Sequence, residues 1–196
     1  MAPIKTCVVG VGLGGLTFHA PFVLALPHLF KLHAVMERNP AGPGGKLQAR
    51  FGEEAAKGVT IHRSFDAVLA DPEVELVVIT TPSETHYELA KLAVEAGKHG
   101  TSTSLVLSFS APSVAHTWFS VLVDKPVTAY FAQAKELGEL AKAKKVVLYP
   151  FQNRRWDSDF LALKKLLELP ADHPKSLGTL FEFESRYAQG IFPLGN

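Results

Sequence analysis

The residues of this sequence best suited to chemistry are the glycines after its first apolar segment. Gly10, Gly12 and Gly15 form a G-x-G-x-x-G pattern that includes Leu13. The pattern alone is weak evidence, but here a strand-like segment precedes it and an apolar segment of helical length follows. Such a turn lets backbone amides approach a pyrophosphate, and the helix N-terminus offers its unpaired N–H groups to the anion. We therefore predict that these four residues bind a dinucleotide.

An acidic residue lies where such a site needs one. Glu37 ends the second strand-like segment, about 20 residues beyond Gly15, which is the spacing expected of a carboxylate that binds the adenosine ribose. That carboxylate favours NAD, because it repels the 2′-phosphate of NADP, whereas the guanidinium of Arg38 can pair with such a phosphate. The sequence therefore predicts NAD or NADP, with both left open.

Three residues follow the fourth strand-like segment. Thr81 and Pro82 come directly after it, and His86 lies in the first turn of the next predicted helix. In open α/β sheets, ligands bind at the carboxyl ends of the strands, where these residues fall. From the residues alone, His86 is equally consistent with a solvent-facing position at a helix start.

The fifth strand-like segment ends in Asp124, Lys125 and Pro126. These residues fall at the same edge of the predicted sheet, where a lysine can exchange a proton with a substrate hydroxyl. The alternative interpretation is a surface lysine that precedes a turn proline.

Short apolar segments alternate with helical ones, and this alternation predicts an α/β doubly wound parallel sheet, the Rossmann fold. Cys7 lies inside the first strand, so we expect it in the core. The predicted strands cover 4–10, 31–37, 59–61, 75–80, 121–123 and 146–149. The predicted helices cover 16–26, 83–97 and 128–144, with weaker helical character in 46–57.

Composition narrows the classes of partner. The 196 residues carry 20 Lys and Arg against 19 Asp and Glu, a net charge of +1, which argues against nucleic acid or an acidic membrane as a partner. The eight histidines have no metal-site spacing, so we predict no metal. No signal peptide or apolar run of about 18 residues is present, and we expect a cytoplasmic protein.

Four ordered motifs, VVGVGLGGLTFHAPF, TPSETH, VLVDKP and QNRRWDSDF, resemble the Gfo/Idh/MocA oxidoreductases over about 4–187. The resemblance implies an NAD(P)-binding Rossmann domain over 1–150, with the start of an α+β substrate domain over 151–196. It further implies a sugar or polyol as the small-molecule substrate. A homo-oligomer paired through the C-terminal sheet is implied for the full-length protein.

The resemblance also assigns roles to residues. Lys125 matches the catalytic lysine of the family's E-K-P motif, with Asp124 in place of Glu, and the T-P-N-x-x-H turn has Ser83 in place of Asn. The segment that enters the family's second domain beside the active site is matched by Asn153, Arg154, Arg155 and Trp156. The cofactor-binding residues implied are Gly10, Gly12, Leu13, Gly15, Glu37, Arg38, Thr81, Pro82, His86, Asp124, Lys125, Pro126, Asn153, Arg155 and Trp156.

The chain departs from the family in two places. The segment 100–120 has no counterpart and contains no Asp, Glu, Lys or Arg, and connections from helix to strand usually take about 2–6 residues. We hypothesise a retained intron there, with a genuine surface insertion as the alternative. The family's second essential group, an Asp and His pair in the C-terminal domain, has no counterpart, so we expect a truncated domain.

The sequence therefore predicts an oxidoreductase that transfers a hydride between nicotinamide and a sugar or polyol alcohol, with impaired turnover in this chain. Two alternatives stay open. One is a non-enzymatic NAD(P)-binding transcriptional regulator of the galactose-repressor type, and the other is a non-functional gene-model fragment.

Overall fold

The computed structural model describes residues 2–97, 120–182 and 184. These residues fall into two compact units, divided between Gln152 and Asn153. Apart from Ser120, the charge-free segment 100–120 lies outside the described residues. The intron hypothesis and its alternative therefore stay predictions.

The first unit is built on a six-stranded sheet in which every neighbouring pair is parallel. Its strands are β1 (Ile4–Val9), β2 (Phe30–Met36), β3 (Thr60–His62), β4 (Leu76–Ile79), β5 (Ser120–Asp124) and β6 (Val147–Phe151). The order β3-β2-β1-β4-β5-β6 is that of the doubly wound dinucleotide-binding sheet. The prediction of a Rossmann fold is confirmed.

Helices cover both faces of this sheet. They are α1 (Ala20–Ala25), α2 (Gly45–Phe51), α3 (Glu53–Ala56), α4 (Phe65–Ala70), α5 (His86–Ala96) and α6 (Phe131–Lys144). A 3₁₀ turn (Ser83–Thr85) leads into α5. Helix α4 was not predicted, because its six residues offer too little periodicity to recognise.

The helix predicted over 16–26 is interrupted. A π-helical turn (Gly15–His19) comes first, and α1 begins again at Ala20 with Pro21 in its first turn. Proline has no N–H to donate, so a helix accepts it in the first turn but not in the interior. The restart at Ala20 gives Pro21 that first-turn position.

The core follows from strands that are buried on both faces. Cys7 and Val9 point into one apolar cluster, which α4, α5 and α6 complete, whereas Val8 points into a second cluster with α1 and α2. Side chains alternate between faces along a strand, so neighbouring residues of β1 enter different clusters. Cys7 is fully buried, as the sequence analysis expected.

The second unit begins with a 3₁₀ turn (Asn153–Trp156), which α7 (Ser158–Leu167) follows. Residues 179–182 form neither helix nor strand. Within the described ranges, no helix combines the length and the apolar character that crossing a bilayer requires.

A polar cluster joins β2, β3 and the turn after α4. The Oδ2 atom of Asp71 accepts hydrogen bonds from Nε2 of His33 at 3.0 Å and Nε2 of His62 at 2.9 Å. Its Oδ1 atom accepts the backbone N–H of Glu73 at 2.9 Å. Burial opposes ionisation of this carboxyl group, but the three donors prevail and hold the pKa of Asp71 below its ordinary value of 3.8.

Asp71→Asn is expected to lower the free energy of unfolding by about 2 kcal/mol at pH 7, because the imidazoles lose a charged acceptor. A carboxyl group with a lowered pKa in the folded state stabilises the fold above its unfolded pKa. The difference between wild type and variant should therefore shrink as the pH falls from 3.8 through the lowered value. Urea unfolding followed by circular dichroism at pH 7 and at several lower pH values measures this.

The matched control is Glu95→Gln, since Glu95 is an exposed carboxylate of the same unit. Its effect at pH 7 should stay within about 0.5 kcal/mol. Equal losses of stability in both variants at pH 7 would contradict a specific role of the Asp71 cluster.

Candidate dinucleotide-binding site

The glycine-rich turn is packed against the end of β4. Gly10 has a φ of 102°, and a Cβ added to it would lie 3.1 Å from the backbone carbonyl of Thr80. A Cβ added to Gly15 would collide with the carbonyl oxygen of Gly10. Both positions therefore exclude side chains, the first also because L-residues rarely adopt its backbone conformation.

Thr80 ties the turn to the sheet. Its Oγ1 atom donates to the carbonyl of Gly10 at 2.7 Å and lies 3.1 Å from that of Val9. The side chain is buried, and it was not among the predicted site residues. The signal that could have revealed it is a hydroxyl residue directly after an apolar strand, at the edge where ligands bind.

The middle of the turn is open. A Cβ added to Gly12 would meet no heavy atom within 4 Å among the described residues, and Leu13 is 79% exposed. This open space above the backbone is a cradle that a side chain would fill, next to the N-terminus of the helical segment. It fits an anionic group that backbone N–H groups hold, such as a pyrophosphate.

Glu37 lies at the carboxyl end of β2 and is only 5% exposed. Its Oε2 atom accepts the backbone N–H of Lys46 at 2.9 Å. Its Oε1 atom is buried and has no hydrogen-bond partner in the described part of the chain. A buried carboxylate oxygen without a donor is costly, so a ribose hydroxyl would suit this position. Arg38, beside it, is exposed.

His86 connects the segments that follow β4 and β5. It is 1% exposed, its Nε2 lies 2.7 Å from the carbonyl oxygen of Thr81, and its Nδ1 lies 2.7 Å from that of Pro126. With both ring nitrogens against backbone carbonyls, the ring braces the two segments. A direct contact between His86 and the cofactor stays a prediction, as does one for the exposed Pro82.

The predicted catalytic residue follows β5. Lys125 is exposed, and its backbone N–H donates to Oδ1 of Asp124 at 2.7 Å. The peptide bond between Lys125 and Pro126 is cis. A Cβ added to Gly14 would lie 3.2 Å from Oδ2 of Asp124, so this carboxylate borders the glycine-rich turn. The ends of β1, β4 and β5 thus meet at one edge.

Three residues of the predicted site belong to the second unit. Asn153, Arg155 and Trp156 lie in its 3₁₀ turn, where Arg155 and Trp156 are exposed. Their assignment to the cofactor site stays a prediction.

Comparison with known proteins agrees with this geometry. A family profile described as "Oxidoreductase family, NAD-binding Rossmann fold" matches residues 4–100. An oxidoreductase of Schizosaccharomyces pombe is 38% identical over 197 residues, which covers 100% of this chain and 45% of the relative. The chain thus spans about half the length of the curated relatives it matches.

Two further comparisons concern an enzyme and a solved structure. The scyllo-inositol 2-dehydrogenase (NADP(+)) IolW of Bacillus subtilis is 30% identical, over 84% of this chain and 37% of the enzyme. The crystal structure of an oxidoreductase from Bacillus cereus superposes with a TM-score of 0.63 at 33% identity, covering 84% of this chain and 39% of that one. With this fold, these relatives and an open glycine-rich turn, the chain belongs to the Gfo/Idh/MocA family of NAD(P)-dependent oxidoreductases.

Proposed function

We propose that the first unit binds NAD or NADP at the carboxyl edge of its sheet. We further propose that the whole protein transfers a hydride between the nicotinamide and an alcohol of a sugar or polyol. The observation that carries the proposal is the open glycine-rich turn, with the unpaired buried Oε1 of Glu37 at the end of the neighbouring strand. The inositol dehydrogenase among the relatives supports the class of substrate.

Each part of the edge has a task in this proposal. The backbone amides around Gly12 and Leu13 hold the pyrophosphate, because no side chain fills the space above them. Oε1 of Glu37 accepts a hydrogen bond from the adenosine ribose, and the negative charge disfavours a 2′-phosphate at that place. We therefore propose NAD as the preferred cofactor.

Lys125 is the proposed acid and base. When bound, the nicotinamide supplies or accepts the hydride, and the oxygen of the reacting alcohol must lose or gain a proton in the same reaction. The lysine is exposed at the edge that carries the glycine-rich turn, so its Nζ is accessible to a substrate. General acid–base catalysis of this kind contributes about 10²–10⁴-fold to a rate. The slow turnover expected for this chain stays a prediction.

Gly12→Val is expected to weaken NADH binding at least about tenfold, a loss of about 1.4 kcal/mol, because the new side chain occupies the proposed place of the pyrophosphate. Thermal stability should be unchanged, since nothing described lies within 4 Å of the added Cβ. A fluorescence titration with NADH and a thermal melt measure the two quantities.

Gly138→Val is the matched control. Gly138 lies on the exposed side of α6, and a Cβ there also meets nothing within 4 Å. Its NADH affinity should equal that of the wild type. If Gly12→Val binds NADH as tightly as this control does, the cofactor does not lie on the turn.

Glu37→Gln tests the preference for NAD. The amide keeps an oxygen that can accept the N–H of Lys46 but loses the charge that repels a 2′-phosphate. We expect the ratio of the NADPH dissociation constant to the NADH dissociation constant to fall by roughly tenfold, about 1.4 kcal/mol. Isothermal titration with both nucleotides measures this ratio, with exposed Glu53→Gln as control. An unchanged ratio in Glu37→Gln contradicts the assignment.

Lys125→Ala tests catalysis apart from binding. On any inositol, polyol or sugar that the wild type oxidises, kcat should fall by about 10²–10⁴-fold, because the proton acceptor is lost. NADH affinity should stay within about threefold of the wild-type value, since the pyrophosphate and ribose contacts remain. Absorbance of NADH across a substrate panel gives the rates. A regulator would instead show NAD(P)-dependent binding to a partner protein together with no oxidation across the panel.

A further inference from the structure

A buried histidine that the proposed mechanism does not use lies beside the candidate site. His19 ends the π-helical turn after the glycine-rich turn and is 5% exposed. Its Nε2 atom has no hydrogen-bond partner among the described residues and lies 3.7 Å from Oδ2 of Asp124. π-Helical turns are rare in proteins, and those that occur are often found at functional sites.

Asp124 connects this histidine to the lysine. Its side chain is 17% exposed, and its two oxygens face different groups. Oδ1 accepts the backbone N–H of Lys125 at 2.7 Å, and Oδ2 faces His19. A partner that holds Oδ2 therefore also determines how the carboxylate meets the amide of Lys125.

An aromatic ring lies against the imidazole. The ring of Phe151 in β6 lies 4.7 Å from the His19 ring, between centroids. Burial lowers the pKa of His19, although the charge of Asp124 opposes this, so the ring is neutral at neutral pH. A neutral imidazole has one N–H donor, and its tautomer decides whether Nε2 can donate to the carboxylate.

We propose that His19 is a positioning residue: as the Nε2–H tautomer it holds the Asp124 carboxylate and, through it, the backbone from which Lys125 extends. This inference rests on the proposed catalytic role of Lys125. At 3.7 Å the contact is longer than a hydrogen bond, so the proposal states that Nε2 and Oδ2 come within hydrogen-bonding distance in the free protein in solution. His86 holds the carbonyl of Pro126, so two buried histidines brace the segment 124–126.

The first experiment uses the unmodified chain. Long-range ¹⁵N–¹H NMR of the histidine side chains reports which ring nitrogen of His19 carries the proton. We expect a protonated Nε2 in the wild type and a loss of this preference in Asp124→Asn. A wild-type His19 with a bare Nε2 overturns the proposal, and this result needs no substituted protein.

The second experiment follows the backbone amide of Lys125, because it reports the position of the carboxylate directly. His19→Leu removes the donor and should shift this amide resonance and speed its hydrogen exchange at least about fivefold, that is, by about 1 kcal/mol. His19→Gln supplies an N–H donor and should keep the exchange rate within about twofold of the wild-type rate.

Asp124→Asn separates positioning from packing. If His19 acts through the carboxylate, adding His19→Leu to Asp124→Asn should change the Lys125 exchange rate no further. Equal effects of His19→Leu in both backgrounds would show a packing role and overturn the proposal. The rates of Lys125→Ala test the proposed function separately, because the NMR measurements need neither nucleotide nor turnover.

Discussion

The candidate site depends on how closely the glycine-rich turn approaches the end of β4. Gly10 and Gly15 leave no room for a side chain, and the Thr80 hydroxyl bonds the turn to the sheet. Because the backbone is held this tightly, the middle of the turn stays open to solvent at Gly12. The packing that excludes side chains on the inner side therefore creates the surface that an anion can approach on the outer side.

A second set of contacts holds β2 and β3 together. The Asp71 carboxylate joins His33 of β2 to His62 of β3, and the backbone N–H of Glu37 donates to the carbonyl of His62 at 2.9 Å. The backbone of Glu37 is thus held by the neighbouring strand, and its carboxylate by the N–H of Lys46. For the proposed ribose acceptor, such rigidity means that little ordering remains for the moment of binding.

Lys125 has a different kind of support. Its side chain is exposed, whereas the residues on either side of it contact buried groups. The carboxylate of Asp124 faces His19, and the carbonyl oxygen of Pro126 lies 2.7 Å from Nδ1 of His86. A lysine held only by an exposed loop would sample many directions. Buried imidazoles lie on both sides of this stretch of backbone, while the Lys125 side chain stays exposed.

The sequence by itself determined the class of fold and predicted a place for the cofactor. Apolar strands, helical periodicity and the spacing from Gly15 to Glu37 are local patterns, so they can be recognised without coordinates. The short α4 and the interrupted helix at His19 escaped prediction, because six residues show little periodicity and the restart at Pro21 is a small local change.

Only the tertiary structure decided which groups meet. The unpaired oxygen of Glu37, the brace of His86 across 40 residues and the approach of His19 to Asp124 all arise where strands distant in sequence end side by side. No local pattern encodes those distances, because the sheet order sets them.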